Sequence, residues 1–177
     1  MKKIRISILL LVLLCISLCV GGCNEKQLDD SKQTDNERIF ESEGSIEDEY
    51  IINGFDIRSI KEYPEIESAI RMSANVKNGD LTRDNFLSVT NLNISDTGVQ
   101  DIAPIAALVN LIALDASSNN ITDISPLVEL KKLTTLNLRA NSIVDLSPLS
   151  RLINISTLYL DINDIVDLSP LSELTEL

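Results

Sequence analysis

A period of 22 residues runs through the second half of the chain and constrains its fold more than any other feature. One copy spans Val109 to Leu130 (VNLIALDASSNNITDISPLVEL) and the next spans Lys131 to Leu152 (KKLTTLNLRANSIVDLSPLSRL). A third spans Ile153 to Leu174 (INISTLYLDINDIVDLSPLSEL), and a more divergent copy covers Leu87 to Leu108. Thr175-Glu176-Leu177 opens a fifth. In the copy at 131–152, Leu133, Leu136, Leu138, Ile143, Leu146, Leu149 and Leu152 cannot all face inward from one straight strand or helix. They can if the chain coils once per copy. Stacked coils then align Leu114, Leu136 and Leu158 in one buried ladder, and Ile121, Ile143 and Ile165 in another. The alternating Leu-x-Leu core predicts one short strand per coil, and the stack predicts a parallel sheet.

The polar positions of the repeat have structural duties. Asn119, Asn141 and Asn163 lie between buried positions, so each must be hydrogen-bonded, most simply to backbone freed where the chain leaves the strand. Thr97 stands in that place in the first copy. Ser125-Pro126, Ser147-Pro148 and Ser169-Pro170 read as an N-cap followed by proline at the first helical position, opening a short helix or 3₁₀ turn. Asp101, Asp123, Asp145 and Asp167 also recur with the repeat. They suit turn capping, and no metal site is expected from them.

Each copy follows L-x-x-L-x-L-x-x-N-x-I-x-D-[IL]-x-P-L-x-x-L, which resembles the leucine-rich repeat, and D-[IL]-S-P-L resembles its bacterial internalin-type subclass. The resemblance covers roughly residues 60–177. It implies an α/β solenoid with strands on a concave face, 3₁₀ or short helical turns on the convex face, and an N-terminal helical cap. It also implies that partners, usually proteins, bind the concave sheet. Alternation makes Asn91, Asn93 and Ser95, then Ala113, Asp115 and Ser117, then Thr135, Asn137 and Arg139, and lastly Thr157, Tyr159 and Asp161 the outward positions. Asp115, Ser117, Asn137, Arg139, Tyr159 and Asp161 are the candidate ligand-binding residues. Tyr159 and Arg139 lead them, because aromatic and Arg side chains most often anchor interfaces. Ala116 replaces the usual Leu of the strand and is expected to leave a slightly underpacked spot.

Ahead of the repeats, Lys2, Lys3 and Arg5 precede an apolar run from Ile6 to Val20. That run is short of the roughly 20 residues a spanning helix needs, and it matches the apolar region of a secretory signal peptide. Val20-Gly21-Gly22-Cys23 resembles the lipobox of bacterial lipoproteins. The resemblance implies cleavage before Cys23, lipidation of its thiol and anchoring on the extracytoplasmic face of the cell membrane. Cys15 and Cys19 would leave with residues 1–22, so no disulfide is expected in the mature chain. Residues 23–50 carry ten acidic side chains against three basic ones and are expected to form an acidic, disordered tether. Residues 51–86 are expected to form the cap, with a helix opening at Pro64, a turn at Asn78-Gly79 and a second helix capped by Thr82 that turns Phe86 and Leu87 inward. Residues 87–177 hold the repeats.

Composition narrows the function. The chain has no His, which removes the commonest general base and metal ligand. Its formal charge is −12, and it lacks the Lys/Arg patches from which nucleic-acid affinity arises. No Gly-rich phosphate loop and no G-x-S-x-G occurs, so neither an enzyme nor a cofactor is expected. The expected partners are a protein or cell-surface polymer, and the membrane through the lipid anchor. Two further expectations follow from Thr175-Glu176-Leu177, which opens a strand without supplying a cap. The chain either self-associates through that end, or is a remnant of a longer repeat protein whose effector region is missing.

Overall fold

The structure, a computed structural model, describes residues 48–177. The expected signal peptide (residues 1–22), Cys23 and nearly all of the expected acidic tether lie outside the described residues. Asp48-Glu49-Tyr50 form a turn, and the Tyr50 ring packs on the core with the Arg58 guanidinium 4.9 Å above it.

A short antiparallel hairpin follows, β1 (Ile51–Ile52) and β2 (Phe55–Asp56). Its two-residue turn is Asn53-Gly54, with φ of 47° and 80°. Positive φ at both central residues defines the hairpin turn that Asn-Gly favours most, so this signal was present in the sequence. The segment expected to form a helical cap therefore opens with a hairpin ahead of its two expected helices. A 3₁₀ turn (Ile57–Glu62) leads to α1 (Pro64–Ser73), with Pro64 at its start and Glu65 and Glu67 in its first turn. α2 (Arg83–Ser88) begins at a reciprocal capping box, in which Thr82 Oγ1 accepts from the Asn85 amide and Asn85 Oδ1 accepts from the Thr82 amide. Ile66, Ile70 and Phe86 are buried against the first coil. Ser73 Oγ donates to the Asn91 carbonyl at 2.7 Å, tying α1 to the edge of the first repeat strand.

The repeats build a four-stranded parallel sheet in the order β3 (Asn91–Asn93), β4 (Ala113–Asp115), β5 (Thr135–Asn137), β6 (Thr157–Tyr159). Its register is that of the repeat. Leu92, Leu114, Leu136 and Leu158 stand opposite one another. Opposite the sheet, each coil carries a 3₁₀ turn: Ala103–Ala107, Ser125–Leu127, Ser147–Arg151 and Ser169–Leu171. The fold is a leucine-rich-repeat solenoid with one continuous core. In the coil at 131–152 the inward positions Leu133, Leu136, Leu138, Ile143 and Leu149 are wholly buried. Ala116 is also wholly buried.

Two polar side chains lie within that core, Asn119 and Asn141. Asn141 Nδ2 donates to the Leu138 and Arg139 carbonyls of its own coil and to the Ala116 carbonyl of the coil before it. Its Oδ1 accepts from the Ile121 amide, again one coil back. Asn119 serves Val99, Thr97 and Ile94 in the same manner, and Asn163 serves Ile143 and Leu138. The asparagines thus form a polar ladder that locks each coil to its predecessor. Among the described residues no buried side-chain nitrogen or oxygen lacks a partner.

The Ser-Pro steps depart from expectation. Ser125, Ser147 and Ser169 occupy the first position of each 3₁₀ turn, while Ile124, Leu146 and Leu168 sit at the N-cap without a side-chain bond. The capping falls to the aspartate two residues earlier. Asp123, Asp145 and Asp167 each accept from the following serine's amide at 2.8 Å and from its hydroxyl at 2.9, 2.7 and 2.9 Å respectively. A carboxylate accepts two bonds at once and carries charge, so it outcompetes the serine hydroxyl for the role.

Candidate functional site

Because side chains alternate along a strand, a parallel stack with fixed register displays its outward positions as columns. One column runs Asn91, Ala113, Thr135, Thr157, and the next runs Asn93, Asp115, Asn137, Tyr159. A third, just past the strands, runs Ser95, Ser117, Arg139, Asp161. The six candidate residues from the sequence all lie in the second and third columns, so the structure brings them onto one face.

Three of the four members of the second column fold back on their own coil. Asn93 Oδ1 accepts from the Ser95 amide at 2.8 Å, Asp115 Oδ1 from the Ser117 amide at 3.0 Å, and Asn137 Oδ1 from the Arg139 amide at 3.1 Å. The Ser95 and Ser117 hydroxyls add a second bond to the same oxygens. Asp115, Ser117 and Asn137 therefore spend part of their hydrogen-bonding capacity shaping the chain as it leaves the strand.

The face changes character toward β6. Arg139 Nε lies 2.8 Å from Asp161 Oδ2, an ion pair between adjacent coils with both side chains 56% exposed. Tyr159 breaks the column of short polar side chains and leaves 52% of its surface in solvent. Beside it Ile162 adopts φ 56°, the left-handed conformation shared at equivalent places by Asp96, Ser118 and Ala140, and exposes 66% of its surface. Sequence reasoning passed over Ile162, because its position in the repeat is polar or small elsewhere and its backbone conformation is not written in side-chain type.

The recurring aspartates lie on the opposite side, by the 3₁₀ turns. Their hydrogen bonds to Ser147 and Ser169 hold the Asp145 and Asp167 carboxyls below the usual carboxylate range, backbone amide first and hydroxyl second. Asp101 departs from this pattern. It accepts from the Ala103 amide and from the Tyr63 hydroxyl at 3.2 Å, which links the first coil to the start of α1. Partial burial, with the nearby Asp101 charge, pushes the Tyr63 phenol up.

The family described as Leucine Rich repeats (2 copies) matches residues 109–151. Among solved structures, an internalin (InlF) from Listeria monocytogenes is 37% identical with a TM-score of 0.61, over 64% of this chain and 34% of that one. Internalin C2 (InlC2) from the same organism is 31% identical with a TM-score of 0.51, over 64% of this chain and 61% of that one. The chain thus spans about a third of the first and about three-fifths of the second. No curated protein matches it by sequence. The chain thus has a leucine-rich-repeat fold similar to that of these two internalins.

Proposed function

We propose that this is a bacterial binding protein rather than a catalyst. It is held at the extracytoplasmic face of the membrane by lipid on Cys23, and its sheet face recognises another protein or a cell-surface polymer. The observation that carries the reading is the register of the four strands. It sets twelve outward positions from Asn91 to Asp161 on one polar surface, while the intervening Leu92, Leu114 and Leu136 are buried and Leu158 is partly so. A surface of this kind costs nothing in core packing when its residues change, so it is free to be shaped for a partner. The likeness to internalins supports a protein as that partner.

Anchoring rests on the lipobox-like Val20-Gly21-Gly22-Cys23. Among the described residues no helix is long and apolar enough to cross a membrane. In cells fed a labelled fatty acid, the chain should carry label and fractionate with membranes, and Cys23→Ala should abolish both.

Binding is tested by placing a photo-crosslinking side chain at Thr135, on the sheet, or at Ser150, by the 3₁₀ turn of the same coil. A discrete adduct from Thr135 that Ala113→Arg removes, with none from Ser150, is expected. Equal adducts from both positions would refute the sheet as the binding face.

A further inference from the structure

We propose that Asn78 is a site of covalent self-modification, where the folded chain exchanges ammonia for water and becomes aspartyl or isoaspartyl. The inference is independent of what the sheet face binds.

The chemistry needs only the chain and solvent. The backbone nitrogen of Gly79 gives up its proton and attacks Cγ of Asn78. The side-chain nitrogen leaves as ammonia, and a succinimide ring closes between the two residues. Water then adds to either ring carbonyl and breaks its bond to the Gly79 nitrogen. One opening leaves aspartate. The other leaves isoaspartate, in which the main chain runs on through the side-chain carbon.

Glycine after the asparagine favours ring closure, because no Cβ obstructs the approach of its nitrogen. Asn-Gly occurs twice in the chain, at Asn53-Gly54 and at Asn78-Gly79. All four residues are exposed, so access to water does not separate the two sites. What separates them is how firmly each asparagine is held.

Asn53 is held twice. It sits in the tight turn between the paired Ile52 and Phe55, and its Nδ2 donates to the Ala106 carbonyl at 3.0 Å. Swinging its Cγ onto the Gly54 nitrogen would break that bond and deform the hairpin turn. Asn78 lies between α1 and α2, outside any helix or strand. Among the described residues no hydrogen bond reaches its side chain or the Gly79 amide. The next groups along are pinned: the Gly79 carbonyl accepts from Arg71 Nη2 at 2.8 Å, and Asp80 pairs with Lys61 at 2.8 Å. The loop therefore keeps its place while the Asn78 side chain turns. The isoaspartyl product lengthens the main chain by one carbon just ahead of Gly79, so it acts directly on the Arg71 contact that ties this loop to α1.

The test incubates the full chain at mildly alkaline pH, folded or in urea above its unfolding midpoint. Site-resolved mass spectrometry follows the replacement of NH2 by OH, and enzymatic methyl-esterification counts isoaspartate. In the folded chain Asn78 should convert at least about fivefold faster than Asn53, the factor that one retained hydrogen bond sets. In urea the two rates should approach parity, because both are then unrestrained Asn-Gly pairs. Asn78→Gln, whose longer side chain closes a ring far more slowly, should remove most of the isoaspartate formed by the folded chain. Asn53 keeping pace with Asn78 in the folded chain, or no conversion of Asn78 there, would overturn the proposal. So would a preference that survives unchanged in urea, since it would belong to neighbouring residue types and not to the fold.

Discussion

Asn141 carries the Ile121 amide on its Oδ1 at 3.0 Å, across 20 residues of chain, while its Nδ2 reaches the Ala116 carbonyl at 3.0 Å. The Ala116 carbonyl also accepts from Asn119 Nδ2 at 3.1 Å, whereas the Ile121 amide depends on Asn141. Asn141→Ala therefore strands that amide, and a single buried group without a partner costs roughly 1–3 kcal/mol. The variant should lose about 2 kcal/mol, read as a lower urea midpoint. Asn163→Ala, at a half-buried site, should lose visibly less.

The hydrophobic ladder should show the same gradient. Leu136 is wholly buried between β4 and β6, whereas Leu158 is only partly buried. Leu136→Ala should cost about 3–4 kcal/mol, within the range for large-to-small core changes, and Leu158→Ala no more than about 2. Equal losses would mean that the fourth coil is covered in solution.

Ala140 sits at φ 54°, a conformation that costs an L-residue on the order of 1–2 kcal/mol and a glycine almost nothing. Glycine gives back part of that gain by loosening the unfolded chain. Ala140→Gly should therefore raise stability by about 0.5 kcal/mol. A clear loss would mean that the Ala140 methyl contributes packing that outweighs the strain.

Asp145 and Asp167 have carboxyls depressed below the ordinary value of 3.8 in the folded chain. Stability from a depressed carboxyl is present above the unfolded value and is lost as pH falls through the folded one. Thermal unfolding should thus change little between pH 7 and about pH 5 and then fall steeply below about pH 4. Asp145→Asn with Asp167→Asn should flatten that acid limb. A limb of unchanged steepness would assign the acid response to other carboxylates, such as Asp56 beside Arg58 and Asp80 beside Lys61.

Much of this architecture is legible in the sequence for one physical reason. A repeat fixes strand register without knowledge of the turns, because identical coils stack only in phase. The Leu114–Leu136–Leu158 ladder and the outward columns follow from that alone. Where a residue's duty depends on a neighbour two positions away, the reading is harder. Ser-Pro fits the general rule for a helix start, yet the aspartate ahead of it closes each turn. Asn53-Gly54 is a hairpin signal, yet the two-residue strands on either side of it are too short to show alternation. At the candidate site, alternation located Tyr159 and Arg139, and the Arg139–Asp161 pair needed the distance between coils. Ile162 needed a backbone angle.

The asparagine ladder has a consequence for how such a chain can change length. Each coil settles its polar groups with its immediate neighbour alone, through bonds that repeat at the same offsets. Excising or duplicating one whole unit, cut at equivalent positions, leaves the same set of contacts on both sides of the join. A cut of any other size shifts a buried asparagine out of reach of its partners. The protein can therefore be lengthened or shortened only in whole turns, and its binding surface grows or shrinks by one strand at a time.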